Sequence, residues 1–259
     1  MKNKLKAVLE VSIAELLFFI LAWYFQYLFG RKYGWYSKTI MILMGFTGIV
    51  LHKRVREYGL IPRSLKFSLK WSVYVTVLFF LTSIITILIL TLFGWFRLVE
   101  LRILIIDLIW FFVLVGFAEE LFFRGYIQSR LNEVFNKKYD KIIGIKFKWS
   151  QGTLITGIAF FGLPHLLVAF NPFTGQITLT PLVFIITFFA CFIGIVLGVI
   201  REKTGGIILP SIIHGLIDYT TFSLGKSVNP MISNIITIVA LFLFFLLLFE
   251  KLLHEEITE

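Results

Sequence analysis

The segment GFAEELFFRGYI (residues 116–127) decides how this chain must fold, because it puts three charges at the end of a long apolar run. The residues before it, ILIIDLIWFFVLV (103–115), are apolar enough for the interior of a membrane. A charged side chain near the middle of a bilayer costs on the order of 3 kcal/mol on insertion scales. Glu119, Glu120 and Arg124 therefore need partners inside the protein or a place at the membrane surface.

The composition of the whole chain predicts a polytopic membrane protein. Of its 259 residues 58% are hydrophobic, which leaves too little polar surface for a soluble domain. A membrane-spanning helix needs ~20 mainly apolar residues. We therefore predict an all-α, single transmembrane domain over residues 1–259, with about eight spans near 8–29, 38–51, 72–95, 103–123, 152–170, 181–200, 206–222 and 231–249.

The basic residues predict the orientation of these spans. With a cytoplasmic N-terminus and alternating spans, nineteen of the 25 Lys and Arg fall on the cytoplasmic side and six on the other. Cytoplasmic loops of membrane proteins carry such an excess. We expect a multi-pass protein of the cell membrane with both termini in the cytoplasm. The basic residues then face anionic lipid, and nucleic acid is not an expected partner.

Two shorter features add structural expectations. Residues 124–151 are rich in Lys and predict an amphipathic connection on the cytoplasmic surface. Gly194 and Gly198 in the sixth span have the spacing that permits close packing of two helices.

Helical geometry separates the three charges of the opening segment. Glu120 and Arg124 are four residues apart and can pair on one face of a helix. Glu119 is rotated by about 100° from Glu120, so we expect it to be a freer carboxylate. Such a group in an apolar bundle suits a general acid or base. The pattern fits equally well three interfacial charges at a helix end.

Two later spans carry the remaining candidates. FFGLPH (160–165) places His165 four residues after Phe161, and LPSIIHGLID (209–218) places His214 four residues before Asp218. A lone histidine in an apolar helix is more often a hydrogen-bonded packing residue than a catalyst. The i, i+4 spacing of the second pair suits two ligands, or an imidazole steadied by an acid. Together with Glu119, these clusters predict a hydrolytic site.

The other ionisable groups within or beside the spans have simpler interpretations. Glu10, Glu15 and Asp107 have no partner that the sequence reveals, and we expect them to have structural hydrogen-bonding or interface roles. His52 and His254 stand at span ends beside other charges, where solvation is expected.

Depth in the membrane gives a further prediction about Arg124. At 1.5 Å per residue, Glu119, His165 and His214 reach different depths if the spans end as given above. The depths agree if the fourth span continues through GYIQSRL (125–131) and the fifth begins several residues after 152. Arg124 is then expected in the interior of the protein.

Three motifs in this order resemble those of a known family. EELFFR (119–124) fits EExxxR, FGLPH (161–165) fits FxxxH, and HGLID (214–218) fits HxxxN/D. The set, over about residues 116–222, resembles the CAAX protease and bacteriocin-processing family (CPBP, also called Abi), which includes the type II CAAX prenyl endopeptidases.

The resemblance implies an intramembrane endopeptidase whose catalytic cavity opens to the cytoplasmic side. It would cleave near the end of a membrane-associated or lipidated, CAAX-like peptide or protein. Glu119, helped by His165, would activate water, while His214 and Asp218 would stabilise the oxyanion or bind an ion. The supporting residues of the motifs are Glu120, Arg124 and Phe161.

The same resemblance leaves metal dependence open, because family members are described both as metalloproteases and as metal-independent glutamate proteases. Asp218 stands where Asn is common and cannot donate to an oxyanion unless it is protonated. His165, His214 and Asp218 with a water would satisfy a catalytic zinc ion, so we include zinc as an expected cofactor in a metal-dependent variant of the mechanism.

Two other functions compete with proteolysis. A non-catalytic member of the family could act as a bacteriocin-immunity or scaffold protein in the membrane. An ion-coupled transporter could use the buried charges as a path, although transporters often have repeated halves and no motif recurs here. The expected partners are membrane lipid and, for an enzyme, a peptide or lipidated-protein substrate.

Overall fold

The computed structural model describes residues 2–29, 34–97, 99–228 and 230–257. Apolar runs form helices because a membrane offers no water to the backbone, and a helix satisfies its own amide and carbonyl groups. The helices are α1 (Lys2–Phe29), α2 (Trp35–His52), α3 (Leu65–Leu92), α4 (Leu101–Asn132), α5 (Gln151–Ala169), α6 (Pro181–Thr204), α7 (Ile208–Asp218) and α8 (Met231–His254). This architecture supports the predicted all-α membrane protein.

The number of spans differs from the prediction. Within the described residues, five helices are long and apolar enough to cross a membrane, namely α3, α4, α5, α6 and α8. The predicted count of about eight is therefore not supported. Helix α2 has only 18 residues and includes Lys38 and His52. Helix α7 has 11 residues, with His214 and Asp218 among them, before the winding changes over Tyr219–Ser223.

The connection between α4 and α5 also differs from the prediction. Helix α4 does continue through residues 125–131, but a hairpin of β1 (Lys138–Ile142) and β2 (Ile145–Ser150) then replaces the expected amphipathic connection. The strands are antiparallel and turn at Ile143 and Gly144, which have φ of 49° and 81°. Left-handed backbone at both turn positions matches the twist of the two strands. Helix α5 begins at Gln151, so the later start expected for the fifth span is wrong.

The chain divides into two compact units. Unit 1 comprises Met1–Ile61 and Ala118–Ile207, and unit 2 comprises Pro62–Phe117 and Ile208–Glu259. The second boundary along the chain, between Phe117 and Ala118, falls within α4, one residue before the two carboxylates of the first motif.

Within unit 1, α5 and α6 form the most extensive contact between helices. A Cβ atom on Gly194 of α6 would lie 2.8 Å from the carbonyl oxygen of Gly157, and one on Gly198 would lie 2.6 Å from the Thr153 side chain. The close packing predicted from Gly194 and Gly198 is therefore present, and the partner is α5. This close approach fixes the helix that carries His165 against α6.

Within unit 2, α7 packs on the first part of α4, and α8 packs on α3. Gly116 lies against the backbone of Ser211, and Gly215 against Phe112, so α7 and α4 approach backbone to backbone. Helix α3 begins at Ser64, whose hydroxyl accepts a hydrogen bond of 3.3 Å from the amide of Phe67. These contacts place His214 and Asp218 on a helix held tightly within unit 2.

Candidate active site

The ion pair predicted within the first motif is present and completely buried. An Nη1 atom of Arg124 lies 2.9 Å from Oε1 of Glu120, and neither side chain has exposed surface. The guanidinium also lies 4.0 Å above the ring of Phe161 and donates a hydrogen bond of 3.2 Å to the carbonyl of Gly194. Arg124 thus joins α4 to both α5 and α6. Its predicted place in the protein interior is confirmed.

Glu119 does not have the isolation that we predicted. Its Oε1 accepts a hydrogen bond from the Nζ atom of Lys38, and the two side chains form an ion pair. Both are largely shielded from solvent, at 15% and 7% exposure. Lys38 lies one turn into α2, and 81 residues separate it from Glu119. Helical spacing within one motif could not reveal this partner, because the pairing depends on how α2 packs against α4.

The winding of α4 and α5 changes around the motif residues. Residues Leu121–Gln128 and Thr156–Gly162 are π-helical, and Leu163–Ala169 is a 3₁₀-helix with Pro164 at its start. Such departures from the α-helix are frequent at functional sites, where they redirect side chains. Here the change of winding in α5 comes directly before His165.

The orientation of His165 is fixed by its own helix. Its Nδ1 atom lies 2.8 Å from the carbonyl oxygen of Phe161, and its ring lies 5.3 Å from the Phe161 ring. A carbonyl oxygen can only accept, so Nδ1 must carry the hydrogen in this contact. In the neutral imidazole, Nε2 then has a free electron pair. The backbone carbonyl of Phe161, the first residue of the FxxxH motif, therefore sets the tautomer of His165, the last residue of the motif.

Glu119, Lys38 and His165 line one cavity of about 600 Å³ in unit 1. Its floor and walls are mainly aromatic and aliphatic, and its rim comes from the segment after α5. An apolar cavity with a few convergent polar groups is the usual form of a small-molecule or catalytic site. The lining includes Phe18, Phe19, Trp23, Met41, Phe123, Phe161, Phe170, Asn171, Phe173, Gln176 and Thr178.

The third motif lies in unit 2. His214 and Asp218 share one face of α7, with 3.7 Å between Nε2 and Oδ2. His214 is buried, and Asp218 is partly buried. The distance is longer than a normal hydrogen bond. The contact is an ion pair only when the imidazole is protonated. The predicted steadying of an imidazole by an acid fits this geometry.

The zinc site predicted from His165, His214 and Asp218 stays a prediction. No group of three or more His, Cys, Asp or Glu side chains is placed to hold a metal ion within residues 2–29, 34–97, 99–228 and 230–257. The hydrogen bond from Nδ1 of His165 to the Phe161 carbonyl leaves Nε2 as the nitrogen that could bind a metal ion. We derive no step through a metal.

We predicted structural roles for three other intramembrane carboxylates, and two of them, Asp107 and Glu10, have structural partners. Asp107 accepts hydrogen bonds of 2.8 Å and 2.6 Å from Lys226, and a further one of 2.8 Å from Ser223. Glu10 lies 2.6 Å from His52 and 2.9 Å from Arg130. His52 is consequently half-buried and not solvated as expected.

Glu15 and Tyr58 are two further buried titratable groups of unit 1. Glu15 is buried, and no hydrogen-bond partner for its Oε1 occurs in the described part of the chain. Tyr58, in the segment between α2 and α3, donates a hydrogen bond of 2.9 Å to Glu133. Burial and this hydrogen bond raise the pKa of the Tyr58 phenol, so it remains a donor.

The location of the cavity bears on the predicted topology. Its lining comes from the last turns of α1, the beginning of α2 and the end of α5, whereas the basic segments lie at the opposite ends of these helices. The cavity therefore lies toward the end of α1 that is opposite to the N-terminus.

A comparison with protein-family models places the three motifs in one family. The model described as "Type II CAAX prenyl endopeptidase Rce1-like" matches residues 101–220, a range that includes every predicted site residue from Glu119 to Asp218. Comparison with curated proteins and with solved structures gave no match. The five apolar helices and the family match together indicate a multi-pass membrane protein.

Proposed function

We propose, from the family-model match over residues 101–220 and the resemblance of the three motifs to the CAAX protease (CPBP) family, that this chain is an intramembrane endopeptidase. It would hydrolyse a peptide bond near the end of a membrane-associated or lipidated peptide. The observation that carries this proposal is that Glu119 and His165 line the same cavity of unit 1. A carboxylate and an imidazole facing one space are the groups that water activation requires.

The reaction would begin with a water molecule in the cavity. Its oxygen attacks the peptide carbonyl carbon while its proton passes to Nε2 of His165 or to the Glu119 carboxylate. The C=O π bond breaks, and its electron pair forms the oxyanion of a tetrahedral intermediate. When this intermediate collapses, the C–N bond breaks and the same proton passes to the leaving nitrogen. Collapse re-forms the C=O bond and gives a carboxylic acid and an amine. Transfer of the acid proton to the amine then gives a carboxylate and an ammonium group, so atoms and charge balance.

Lys38 would serve this step in two ways. Its ammonium group holds the Glu119 carboxylate in one position and compensates its charge among aromatic walls. It also brings a cation into the cavity where negative charge develops on the substrate. The ion pair therefore supports a catalytic role for Glu119 more than a purely structural one, since both groups face the cavity.

His214 and Asp218 are assigned to the same reaction by their motif. A protonated His214, steadied by Asp218, would donate a hydrogen bond to the oxyanion. Asp218 cannot donate as an ionised carboxylate, so its part is to hold the imidazole. This assignment rests on the family resemblance and on the 3.7 Å contact within α7.

A cleavage assay on purified protein tests the proposal. The protein in lipid nanodiscs would be incubated with two quenched peptides, one prenylated and CAAX-like and one unlipidated and apolar. We expect cleavage of at least one peptide by the unmodified protein and its loss in Glu119→Gln. Glu256→Gln, a change at an exposed carboxylate near the C-terminus, is the matched control and should retain activity. Equal cleavage by both variants would show that Glu119 is not the base.

A further inference from the structure

Unit 1 has two chemically different ends. At one end, Lys4 lies 5.2 Å above the ring of Phe135, and the first residues of α1 thus meet the segment after α4. The amide of Ile207 donates a hydrogen bond of 3.0 Å to the carbonyl of Gly59, which joins the segments after α6 and α2. The N-terminus, the β-hairpin and these two segments therefore share what we name the basic end of unit 1.

The opposite end carries the cavity. There the ring of Trp23 lies 5.9 Å from that of Phe170, and the ring of Phe29 lies 4.8 Å from that of Tyr36. These contacts join the last turns of α1 to the first turn of α2 and to the segment after α5. We name this the cavity end, because its residues also form the rim of the cavity.

The charge difference between the two ends is large. The segments at the basic end carry fourteen Lys and Arg, in residues 1–7, 52–61, 129–150 and 201–207. In the sequence, residues 30–38 contain three, of which the structure describes Lys38 at the cavity end, and residues 170–181 contain none. Short loops with such an excess of Lys and Arg remain in the cytoplasm when a membrane protein inserts.

Exposed aromatic side chains supply an independent indication that the cavity end reaches a membrane surface. Tyr24, Tyr27, Trp35 and Tyr36 are all exposed and lie within the last turns of α1 and the first turn of α2. Trp and Tyr concentrate at the level of the lipid headgroups, where the ring meets acyl chains and the polar atom meets water. The rim residues Asn171, Gln176 and Thr178 are polar and exposed, as expected beside water.

From this arrangement we propose that the cavity opens on the face of the membrane opposite the cytoplasm and receives a peptide segment presented there. The substrate class is an uncharged or apolar segment of an exported or membrane-inserted polypeptide at the outer headgroup level. A lipidated tail in the cytoplasmic leaflet would approach the basic end instead. The substrate part of this proposal rests on the peptidase function proposed above, whereas the orientation of unit 1 does not.

The orientation is tested by the accessibility of single cysteines. The native Cys191 would first be replaced by Ala, and then Gln176→Cys or Lys141→Cys would be introduced; both positions are exposed, at the cavity end and on the hairpin. Intact spheroplasts would be treated with a membrane-impermeant maleimide, before and after lysis. We expect Q176C to react at least about tenfold more than K141C in intact cells, because a reagent that cannot cross the bilayer reaches one face only. Reaction of both after lysis is the control for reactivity. Preferential labelling of K141C, or labelling of Q176C only after lysis, would overturn the proposal.

A sidedness assay separates this inference from the peptidase function. The apolar quenched peptide would be added to right-side-out spheroplasts and to inverted membrane vesicles that contain the protein. We expect cleavage in the spheroplasts. Cleavage in inverted vesicles alone would overturn the orientation and leave the peptidase function standing. No cleavage in either, with Q176C labelled as expected, would overturn the peptidase function and leave the orientation standing.

Discussion

Lys38 on α2 forms an ion pair with Glu119 on α4, and both side chains face the cavity of unit 1. Two charges in apolar surroundings are costly to separate, because removal of one leaves the other uncompensated. The pair therefore fixes where the Glu119 carboxylate stands relative to the cavity.

Replacement of Lys38 should reduce peptidase activity without unfolding the protein. We expect Lys38→Met to lower kcat on the order of 10²-fold, the loss seen when one group that stabilises an oxyanion is removed. Lys38→Arg should restore part of the activity, since it keeps the charge. The exposed hairpin residue Lys148 supplies the control, Lys148→Met, whose kcat should match that of the unmodified protein. Unchanged kcat in Lys38→Met would remove Lys38 from the mechanism.

The Glu120–Arg124 pair should matter for stability. We expect either Glu120→Gln or Arg124→Met to lower the free energy of unfolding by about 3–5 kcal/mol, because each leaves a buried charge without its partner. The double variant should lose less than the sum of the two, since the groups are in contact. Glu57→Gln, which removes an exposed pair with Arg54, is the control and should change stability by less than about 1 kcal/mol. Denaturant unfolding in detergent measures the unfolding free energy of these four variants and of the unmodified protein. A loss in the double variant equal to the sum of the two single losses would contradict the prediction.

His165 should act through its Nε2 atom. His165→Ala is expected to lower kcat by about 10²–10⁴-fold, the range for loss of a general base. Cleavage of the quenched apolar peptide by the purified proteins measures kcat, with Lys148→Met as the control. Unchanged kcat in His165→Ala would show that another group is the base.

Chelation should leave activity unchanged. The proposed activation of water uses Glu119, His165 and Lys38 of one cavity and no metal ion. We therefore expect the purified enzyme to keep its rate after dialysis against a chelator, with a zinc-loaded metallopeptidase treated in parallel as the positive control. Loss of activity that added zinc restores would return His165, His214 and Asp218 to the role of zinc ligands.

Asp107 should be structural. Asp107→Asn removes the charge that Lys226 and Ser223 contact in unit 2, and we expect a loss of about 1–3 kcal/mol in unfolding free energy. Activity per folded molecule should stay within about twofold, because such a stability loss still leaves most molecules folded. A large fall in kcat with normal stability would instead give Asp107 a functional part.

Much of this fold follows from the hydropathy of the sequence. Each predicted span overlaps a helix because long apolar runs leave the backbone no other way to satisfy its hydrogen bonds. The Glu120–Arg124 pair and the burial of Arg124 also follow from spacing along one helix. Local geometry is sufficient where both partners belong to the same element.

Other features depend on packing between distant segments. Lys38 is 81 residues from Glu119, and Lys226 is 119 residues from Asp107, so neither pairing leaves a trace in local spacing. The hairpin over residues 138–150 was missed because its lysines suggested an amphipathic connection on the membrane surface. The alternation of apolar and basic residues in IKFKW (145–149) was the available signal.

The central claim is that Glu119 directs water onto a peptide bond, and one measurement tests it most directly. The purified protein would be incubated with the quenched peptides in heavy-oxygen water, and the products would be analysed by mass spectrometry. We expect one heavy oxygen atom in the newly formed carboxyl group and no product from Glu119→Gln. Folded protein that yields no labelled product, or a Glu119→Gln variant that yields as much, would contradict the account.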